Sequence, residues 1–117
     1  HPEVYRAIES WSATLADQSE PGTVAIADIP LLFETNREGD FDVVVVAACS
    51  REHQIERLKA RGMSTNDAED RINAQLPIDE KARRAAYVID TSGTFDDTDA
   101  QVDRLWRVFK ELAAGRQ

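Results

Sequence analysis

Apolar residues recur at helical spacing near both ends of the chain. The first stripe is Val4, Ala7, Ile8, Trp11 and Leu15, and the last is Val102, Leu105, Trp106, Phe109 and Leu112. Intervals of three and four residues indicate a helix with one face packed against a core. The pattern therefore predicts a helix at each end of the chain, with Trp11 and Trp106 as core residues.

Three apolar runs between these helices predict β-strands. Residues 23–29 (TVAIADI) and 87–90 (YVID) contain several β-branched residues, and residues 43–48 (VVVVAA) show no alternation of apolar and polar positions. An unbroken apolar run is typical of a strand covered on both faces, as in a parallel sheet. The sequence therefore predicts a three-layer α/β fold with a parallel sheet and right-handed crossovers.

Capping residues divide the region between the second and third strands into short helices. Ser50 is suited to begin a helix that Gly62 ends. Ser64 is suited to begin a second helix, over residues 65–75, which carries few large apolar residues and is therefore expected to move. A third helix, rich in Lys and Arg, is predicted over residues 77–85.

Composition and charge narrow the class of protein. The 117 residues include 14 Lys and Arg against 22 Asp and Glu, a formal net charge of −8, and a single cysteine. So acidic a chain is unsuited to nucleic acid, because phosphate binding needs clustered basic side chains. The lone Cys49 cannot form an intramolecular disulfide, and no apolar run approaches the roughly 20 residues of a membrane span. We expect one cytoplasmic domain that binds neither nucleic acid nor membrane, and its oligomeric state is left open.

The predicted strand ends locate the candidate chemistry, because ligands of parallel sheets bind beyond the carboxyl ends of the strands. Asp28 closes the first predicted strand, and a carboxylate in that position can hold a magnesium ion in phosphate-transfer enzymes. The same residue is equally compatible with capping the turn before Pro30. Residues 49–51 and 91–93 follow the other two strands.

The basic residues are few and grouped. Arg57 and Arg61 are four residues apart, hence on one face of a helix, and Arg71 lies on the next helix. Three guanidiniums near the strand ends would neutralise a polyphosphate, and one of them could stack on a purine. The alternative is ordinary surface ion pairing. The acidic partners available for it are Glu56, Asp67 and Asp70.

A succession of short motifs resembles the dephospho-coenzyme A kinase family. In chain order they are His1-Pro2, Pro30-Leu31-Leu32-Phe33-Glu34, the four valines 43–46, Gln54-x-x-Arg57-Leu58-x-x-Arg61, Arg71-Ile72-x-Ala74-Gln75, Glu80-Lys81 and Val88-Ile89-Asp90-x-x-Gly93. Each motif alone is unspecific, whereas their order and spacing are specific and cover nearly the whole chain. The family resembles adenylate-type P-loop kinases and transfers the γ-phosphate of ATP to the ribose 3′-hydroxyl of dephospho-CoA.

The resemblance implies that the chain is the C-terminal portion of a single P-loop kinase domain. The family's Gly-rich loop ending in Lys-Ser or Lys-Thr has no counterpart in the sequence, and the expected catalytic base lies in the same missing portion. Residues 1–20 would end the CoA-binding helical region, and residues 62–80 would form a helical lid. His1 is then a helix-start residue rather than a base. We expect such a chain to be inactive alone.

The resemblance also implies roles on the nucleotide side. Arg57 resembles the arginine that lies against the adenine of ATP, and Arg61 the one that reaches its phosphates. Arg71 resembles the lid arginine that arrives on closure. The turn after the third strand would form the floor beneath the adenine, and its residues are Thr91, Ser92 and Gly93. Thr91 stands where the family frequently has Asn.

On the acceptor side, the resemblance assigns a segment and a metal ligand. The residues expected to line the dephospho-CoA side are Pro30, Leu31, Leu32 and Glu34. Asp28 would lie beside the Mg²⁺ that accompanies ATP. For Gln75 and Lys81, helix packing is as plausible as ligand contact.

Two other classes of function are open to the sequence. One is a related P-loop kinase for another small acceptor, since acceptor contacts lie largely outside this chain. The other is a non-catalytic module that binds a protein partner through a sheet edge or the acidic surface. A Gly-rich loop with Lys-Ser or Lys-Thr encoded upstream would favour a kinase over the non-catalytic module.

Overall fold

The computed structural model describes residues 2–18 and 22–115. The elements in chain order are helix α1 (Pro2–Gln18), a 3₁₀ turn (Glu38–Asp40), strand β1 (Val45–Ala48), helices α2 (Arg51–Ala60), α3 (Thr65–Asn73) and α4 (Ile78–Arg84), strand β2 (Tyr87–Asp90) and helix α5 (Phe95–Ala114). All five helices were predicted, as were both strands. Within the described residues, no helix is long and apolar enough to cross a membrane.

The chain divides into two compact units. The first comprises residues 1–29 and 103–117, and the second comprises residues 30–102. The second unit contains the sheet and the three short helices, together with the cleft and most of the predicted site residues. His1, Pro21 and the last two residues of the chain lie outside the described residues.

The two strands of the second unit form a parallel sheet, as predicted. Val45 lies opposite Tyr87 and Ala48 lies opposite Asp90, so the two carboxyl ends are level. The expectation that β1 is covered on both faces is wrong, because Val46 is buried whereas its neighbour Ala47 is exposed. A sheet of two strands with a few short helices has too little material to cover a second face. The fold is therefore α/β with a small parallel sheet.

Residues 23–29, predicted as the first strand, form no strand in the structure. They have no regular secondary structure between Gly22, whose φ of +90° confirms the predicted break, and a turn over residues 30–36. A strand exists only with a hydrogen-bonded neighbour, and β1 and β2 are the paired strands of the described chain. Asp28 is exposed and does not lie at a strand end. Its assignment as a magnesium ligand stays a prediction.

The apolar core of the second unit is small. The buried apolar side chains among the described residues are Phe33, Val46 and Ala68. Ala68 is completely buried, on a helix that packs against α2. Because alanine contributes little apolar area, α3 is held more lightly than a helix with a leucine or phenylalanine at this position. This agrees with the prediction of a lightly packed helix.

The tryptophans of the first unit are not core residues, contrary to expectation. Trp11 is 43% exposed and Trp106 is 45% exposed. Two helical segments and one irregular segment have too little apolar surface to enclose an indole. Trp106 instead lies beside a cation, because Lys110 Nζ is 5.5 Å from the centre of its ring. The same Nζ donates a hydrogen bond of 2.8 Å to the Gly22 carbonyl.

Candidate functional site

A cleft of about 350 Å³ opens beyond the carboxyl end of β1. Its walls come from the residues that follow β1, from Ile72 of α3 and from the start of α4 at Ile78. Because β1 and β2 are parallel, the residues that follow both strands emerge at the same edge of the sheet. Ligands of parallel sheets bind at this edge, so the cleft is a candidate binding site.

The first turn of α2 lines the cleft with polar side chains. Ser50 caps the helix by accepting from the His53 backbone N–H at 3.2 Å, and its hydroxyl lies 2.6 Å from His53 Nδ1. Arg51 and Gln54 extend from this turn into the wall of the cleft. Neither residue was predicted to line a cleft, although both lie on a helix that starts at a strand end.

Arg57 and Thr91, both predicted on the nucleotide side, are bonded to each other. Arg57 Nη1 donates to the Thr91 hydroxyl at 3.0 Å, and Nη2 donates to the Thr91 carbonyl. Thr91 is itself tied to β1, because its N–H and its hydroxyl donate to the Ala48 carbonyl at 2.8 and 3.2 Å. The Thr91 hydroxyl thus donates to one strand and accepts from the guanidinium. Two contacts to one residue fix both the position and the plane of the Arg57 group.

The turn after β2 is fixed by its own hydrogen bonds. The Ser92 N–H donates to the Asp90 carboxylate at 2.9 Å, and this backbone hydrogen bond, with that of the Ser92 side chain, lowers the pKa of Asp90. Gln101 of α5 exchanges two hydrogen bonds of 2.8 Å with the Asp90 backbone. A Cβ on Gly93 would approach Asp97 Oδ2 to 2.6 Å. A rigid turn with a small residue at its tip therefore follows β2.

Arg61 occupies the carboxyl end of α2, where the helix stops as predicted. Gly62 has a φ of +100°, and its N–H donates to the Lys59 carbonyl at 2.9 Å. The Met63 N–H donates to the Leu58 carbonyl at 3.2 Å. These two bonds form a Schellman motif, which requires a left-handed residue at the position of Gly62. The start of the predicted lid is thus a glycine with backbone freedom.

Arg71 lies on α3, whose start is capped as predicted. The Ser64 hydroxyl accepts from the Asp67 N–H at 3.1 Å. Arg61 and Arg71 are both exposed. Guanidiniums carry only donors and cannot hydrogen-bond to one another. The convergence of the three guanidiniums remains a prediction.

Surface ion pairing, the alternative explanation for these arginines, is not seen among the described residues. The ion pairs among the described residues involve Arg37, Lys81, Arg83 and Arg84, and none involves Arg57, Arg61 or Arg71. The partner of Arg57 is a neutral threonine. The predicted acidic partners Glu56, Asp67 and Asp70 are not within ion-pair distance of the three arginines. Arg61 and Arg71 are thus exposed guanidiniums that pair with no carboxylate among the described residues.

The predicted acceptor segment forms the turn over residues 30–36. The Thr35 N–H donates to the Leu31 carbonyl at 3.1 Å, and Asn36 has a φ of 56°. Leu31 is 45% exposed, whereas Phe33 is buried at 5%. Pro30, Leu31 and Leu32 thus stay open as contacts for a ligand, with Phe33 anchoring the turn from below.

Glu34, in the same segment, contacts neighbouring protein groups. Its Oε2 accepts from the Leu76 N–H at 2.9 Å and forms an ion pair with Lys81 Nζ at 2.8 Å. Burial raises the pKa of Glu34, but the hydrogen bonds from Lys81 and the backbone, with the charge of Lys81, outweigh it and lower the pKa below its usual value. Lys81 is 8% exposed and also donates to Gln75 Oε1 at 3.3 Å. Gln75 and Lys81 thus contact neighbouring protein groups, as expected for a packing role.

Within the described residues, no three His, Cys, Asp or Glu side chains are grouped so that they could hold a metal ion. A magnesium ion often has only one or two protein carboxylates, with phosphate oxygens and water completing its shell. Asp28 can supply one such carboxylate. The role of Asp28 as a magnesium ligand stays a prediction.

Comparison with known proteins gives one consistent family. Residues 1–97 match the family profile described as "Dephospho-CoA kinase". The dephospho-CoA kinase of Anaeromyxobacter dehalogenans is 40% identical over 117 residues, which cover 99% of this chain and 53% of that protein. The dephospho-CoA kinase of Symbiobacterium thermophilum is 44% identical over 108 residues, which cover 92% of this chain and 44% of that protein. The chain spans about half the length of these relatives.

A solved structure supports the same grouping. The crystal structure of TT1252 from Thermus thermophilus superposes with a TM-score of 0.74 at 30% sequence identity, and the match covers 92% of this chain and 55% of that one. The order of motifs from the Pro30 segment to Gly93, the parallel strand pair and the family match agree with one another. The chain belongs to the dephospho-CoA kinase family.

Proposed function

We propose that this chain is part of an ATP-dependent kinase that phosphorylates the ribose 3′-hydroxyl of dephospho-CoA and so produces coenzyme A. Its named relatives support this activity, and the chain matches about half of their length. The structural observation that supports it most is the Arg57 guanidinium held by Thr91 at the carboxyl end of β2. We also propose a P-loop kinase fold for the whole domain and a cytoplasmic location, in keeping with the lone cysteine.

Arg57 is proposed to hold the adenine of ATP. Thr91 binds the guanidinium through the edge that carries its N–H groups. The flat faces of the guanidinium are not used by these bonds, and a flat cation stacks well on a purine. The turn formed by Thr91, Ser92 and Gly93 would then lie beneath the ring.

Arg61 and Arg71 are proposed to bind the phosphates and to act in the transfer step. Phosphoryl transfer depends on positioning and on charge stabilisation, which fixed cations supply once water is excluded. Arg61 stands at the end of α2, and Arg71 stands on the lid (residues 62–80) that Gly62 begins. Closure of the lid would bring Arg71 to the transferring phosphoryl group.

Dephospho-CoA is proposed to bind against the turn that carries Pro30, Leu31 and Leu32. Leu31 is exposed there and offers apolar contact. The Mg²⁺ that accompanies ATP would neutralise phosphate charge, with Asp28 as one ligand of the ion or its water shell. The base that takes the proton of the 3′-hydroxyl is expected outside this chain.

The proposed function is tested by restoring the half that the chain lacks. A chimera would join residues 1–117 to the portion of the Anaeromyxobacter dehalogenans kinase that the chain does not match, and ADP release would be followed with dephospho-CoA as acceptor. We expect dephospho-CoA-dependent turnover by the chimera and none by the 117-residue chain alone.

Two controls make this test decisive. AMP and adenosine serve as competing acceptors, because a related P-loop kinase would prefer one of them. A folded chimera that binds ATP but does not phosphorylate dephospho-CoA would contradict the proposed substrate. Turnover by the isolated chain would show that the remaining half is dispensable.

A further inference from the structure

Glu34 and Lys81 form the most buried ion pair of the described residues. The side chain of Glu34 is 19% exposed and that of Lys81 is 10% exposed. Within the described residues, Lys81 is the one charged residue that is buried. The residues are 47 positions apart in the sequence, so their contact joins distant segments. A charge removed from water is costly unless it is paired and hydrogen-bonded, which makes a buried pair sensitive to the position of every partner.

The hydrogen bonds of this pair join three segments. Glu34 belongs to the turn over residues 30–36 and accepts from the Leu76 N–H at 2.9 Å. Lys81 belongs to α4 and donates to Gln75 Oε1 at 3.3 Å and to the Pro30 carbonyl at 3.4 Å. The pair therefore ties the segment just after α3 to the turn and to α4.

The other ion pairs of the described residues are local. Glu80 pairs with Arg83 and Arg84 along one face of α4, and Arg37 pairs with Asp40 three residues away. Such pairs between exposed neighbours contribute little to stability and join no distant elements. The Glu34–Lys81 pair differs from them in burial and in what it connects.

The lid is held in different ways before and after α3. At its start, Gly62 has a positive φ, and α3 is packed through the small Ala68. At the segment after α3, Leu76 is held by a carboxylate that is itself held by a buried lysine. Opening before α3 breaks few contacts, whereas opening after it separates buried charges.

We infer that Glu34 is a positioning residue that, together with Lys81, fixes the segment that follows α3 at Leu76, so that α3 moves about this segment and the lid opens at Gly62. Arg71 is five residues from the fixed point and therefore travels along a short, defined path. Glu34 then has no direct contact with dephospho-CoA. The lid's role in catalysis rests on the proposed function, whereas the anchoring of Leu76 does not.

Amide hydrogen exchange of the 117-residue chain tests the anchor directly. The informative variant is the double substitution Glu34→Leu with Lys81→Met, because an apolar pair of similar size can replace a buried ion pair without loss of folding. We expect the Leu76 amide to exchange about tenfold faster in this variant while amides of α2 keep their rates. The matched control is Arg84→Met, which removes an exposed ion pair of α4 and should leave Leu76 unchanged.

Two outcomes of this experiment would overturn the inference. One is an unchanged exchange rate at Leu76 in the double variant. The other is equal acceleration at Leu76 and throughout α2, which would mean general destabilisation and no specific anchor.

A measurement on the unaltered chain decides the question if the double variant does not fold. The Leu76 amide proton shift should follow the titration of the Glu34 carboxyl carbon in NMR spectra, and independent titration would overturn the anchor.

Kinetics of the chimera test the consequence for the lid. The double variant should lower kcat about tenfold while the KM values for ATP and dephospho-CoA stay within about twofold. A substrate contact at Glu34 would raise the KM for dephospho-CoA instead, and that result would overturn the inference. Arg71→Ala measured in parallel separates the two proposals. A loss of kcat with Arg71→Ala but not with the double variant counts against the anchor, whereas no effect of Arg71→Ala counts against the proposed function.

Discussion

The guanidinium of Arg57 is bound at two points to Thr91, a residue 34 positions further along the chain. Thr91 follows β2 and is hydrogen-bonded to Ala48, the last residue of β1. The position of the guanidinium is therefore fixed relative to both strands of the sheet. A flexible side chain on the surface of a helix thereby acquires one orientation. The loss of side-chain entropy takes place on folding and not on ligand binding, which favours affinity.

Thr91→Val should loosen Arg57 while keeping the shape of the side chain. Valine removes the hydroxyl that donates to Ala48 and accepts from Arg57. We expect the chimera to bind ATP several-fold more weakly, since a net hydrogen bond contributes about 0.5 to 1.5 kcal/mol. Thr91→Ser keeps the hydroxyl and serves as the control. Equal ATP affinity of the valine and serine variants, measured by calorimetry, would mean that Arg57 needs no such support.

Arg57→Lys tests whether the plane of the guanidinium matters. Lysine retains the charge but lacks both the flat stacking surface and the paired donors. Binding of ATP should therefore weaken more than binding of dephospho-CoA, with each affinity titrated separately in the chimera. The adenine assignment fails if the ATP affinity of this variant equals that of the parent protein.

Arg61→Ala should impair phosphate binding in the chimera. Loss of charge-assisted hydrogen bonds of about 1.5 to 3 kcal/mol corresponds to roughly one to two decades in kcat/KM. Lys59→Ala, an exposed cation on the same helix, is the matched control and should change kcat/KM little. Comparable losses in both variants would point to a general effect of positive charge in place of a specific contact.

The lid can be observed without measuring turnover. In the chimera, amides over residues 62–73 should exchange rapidly without nucleotide and gain protection with ATP, because phosphate oxygens would then engage Arg71. Arg71→Ala should abolish this gain and lower kcat more than it raises the KM for dephospho-CoA. Slow exchange that ATP does not alter would identify α3 as a static charged helix.

The ion pair of Glu34 predicts a defined pH dependence of stability. The pKa of Glu34 is lowered from its usual value of 4.5, so the stabilisation is complete above pH 4.5 and is lost as pH falls through the lower pKa of the folded state. Glu34→Gln should therefore reduce the free energy of unfolding by about 1 to 3 kcal/mol at neutral pH. The difference should disappear in strong acid. Urea titrations of Glu34→Gln and the parent chain over this pH range measure the difference.

Features set by neighbouring residues could be predicted from the sequence. Ser50 and Ser64 cap their helices as expected, and Gly62 ends α2 with a positive φ. These features depend on one or two turns of chain, and the sequence contains all the information they need. The parallel pairing of β1 and β2 was predicted from the unbroken apolar run of β1, although the burial on both faces that such a run implies is not observed.

Features that depend on distant partners could not be predicted. Residues 23–29 have a strand-like composition, but a strand needs a neighbour to pair with. Trp106 lies on a helical stripe, yet its burial depends on what covers the stripe. The contacts of Glu34 with Lys81 and of Arg57 with Thr91 join residues that no local pattern connects. The sequence therefore predicts which residue types follow the strands, whereas the hydrogen bonds among these residues depend on the fold.

The two hydrogen bonds of the Thr91 hydroxyl limit which residues can replace threonine at this position. The position must offer one donor to Ala48 and one acceptor to Arg57 from a short side chain. The amide of asparagine, frequent here in the resembling family, also carries a donor and an acceptor. Threonine and asparagine are then alternative solutions of one geometric demand, and an exchange between them can keep the support of the Arg57 guanidinium.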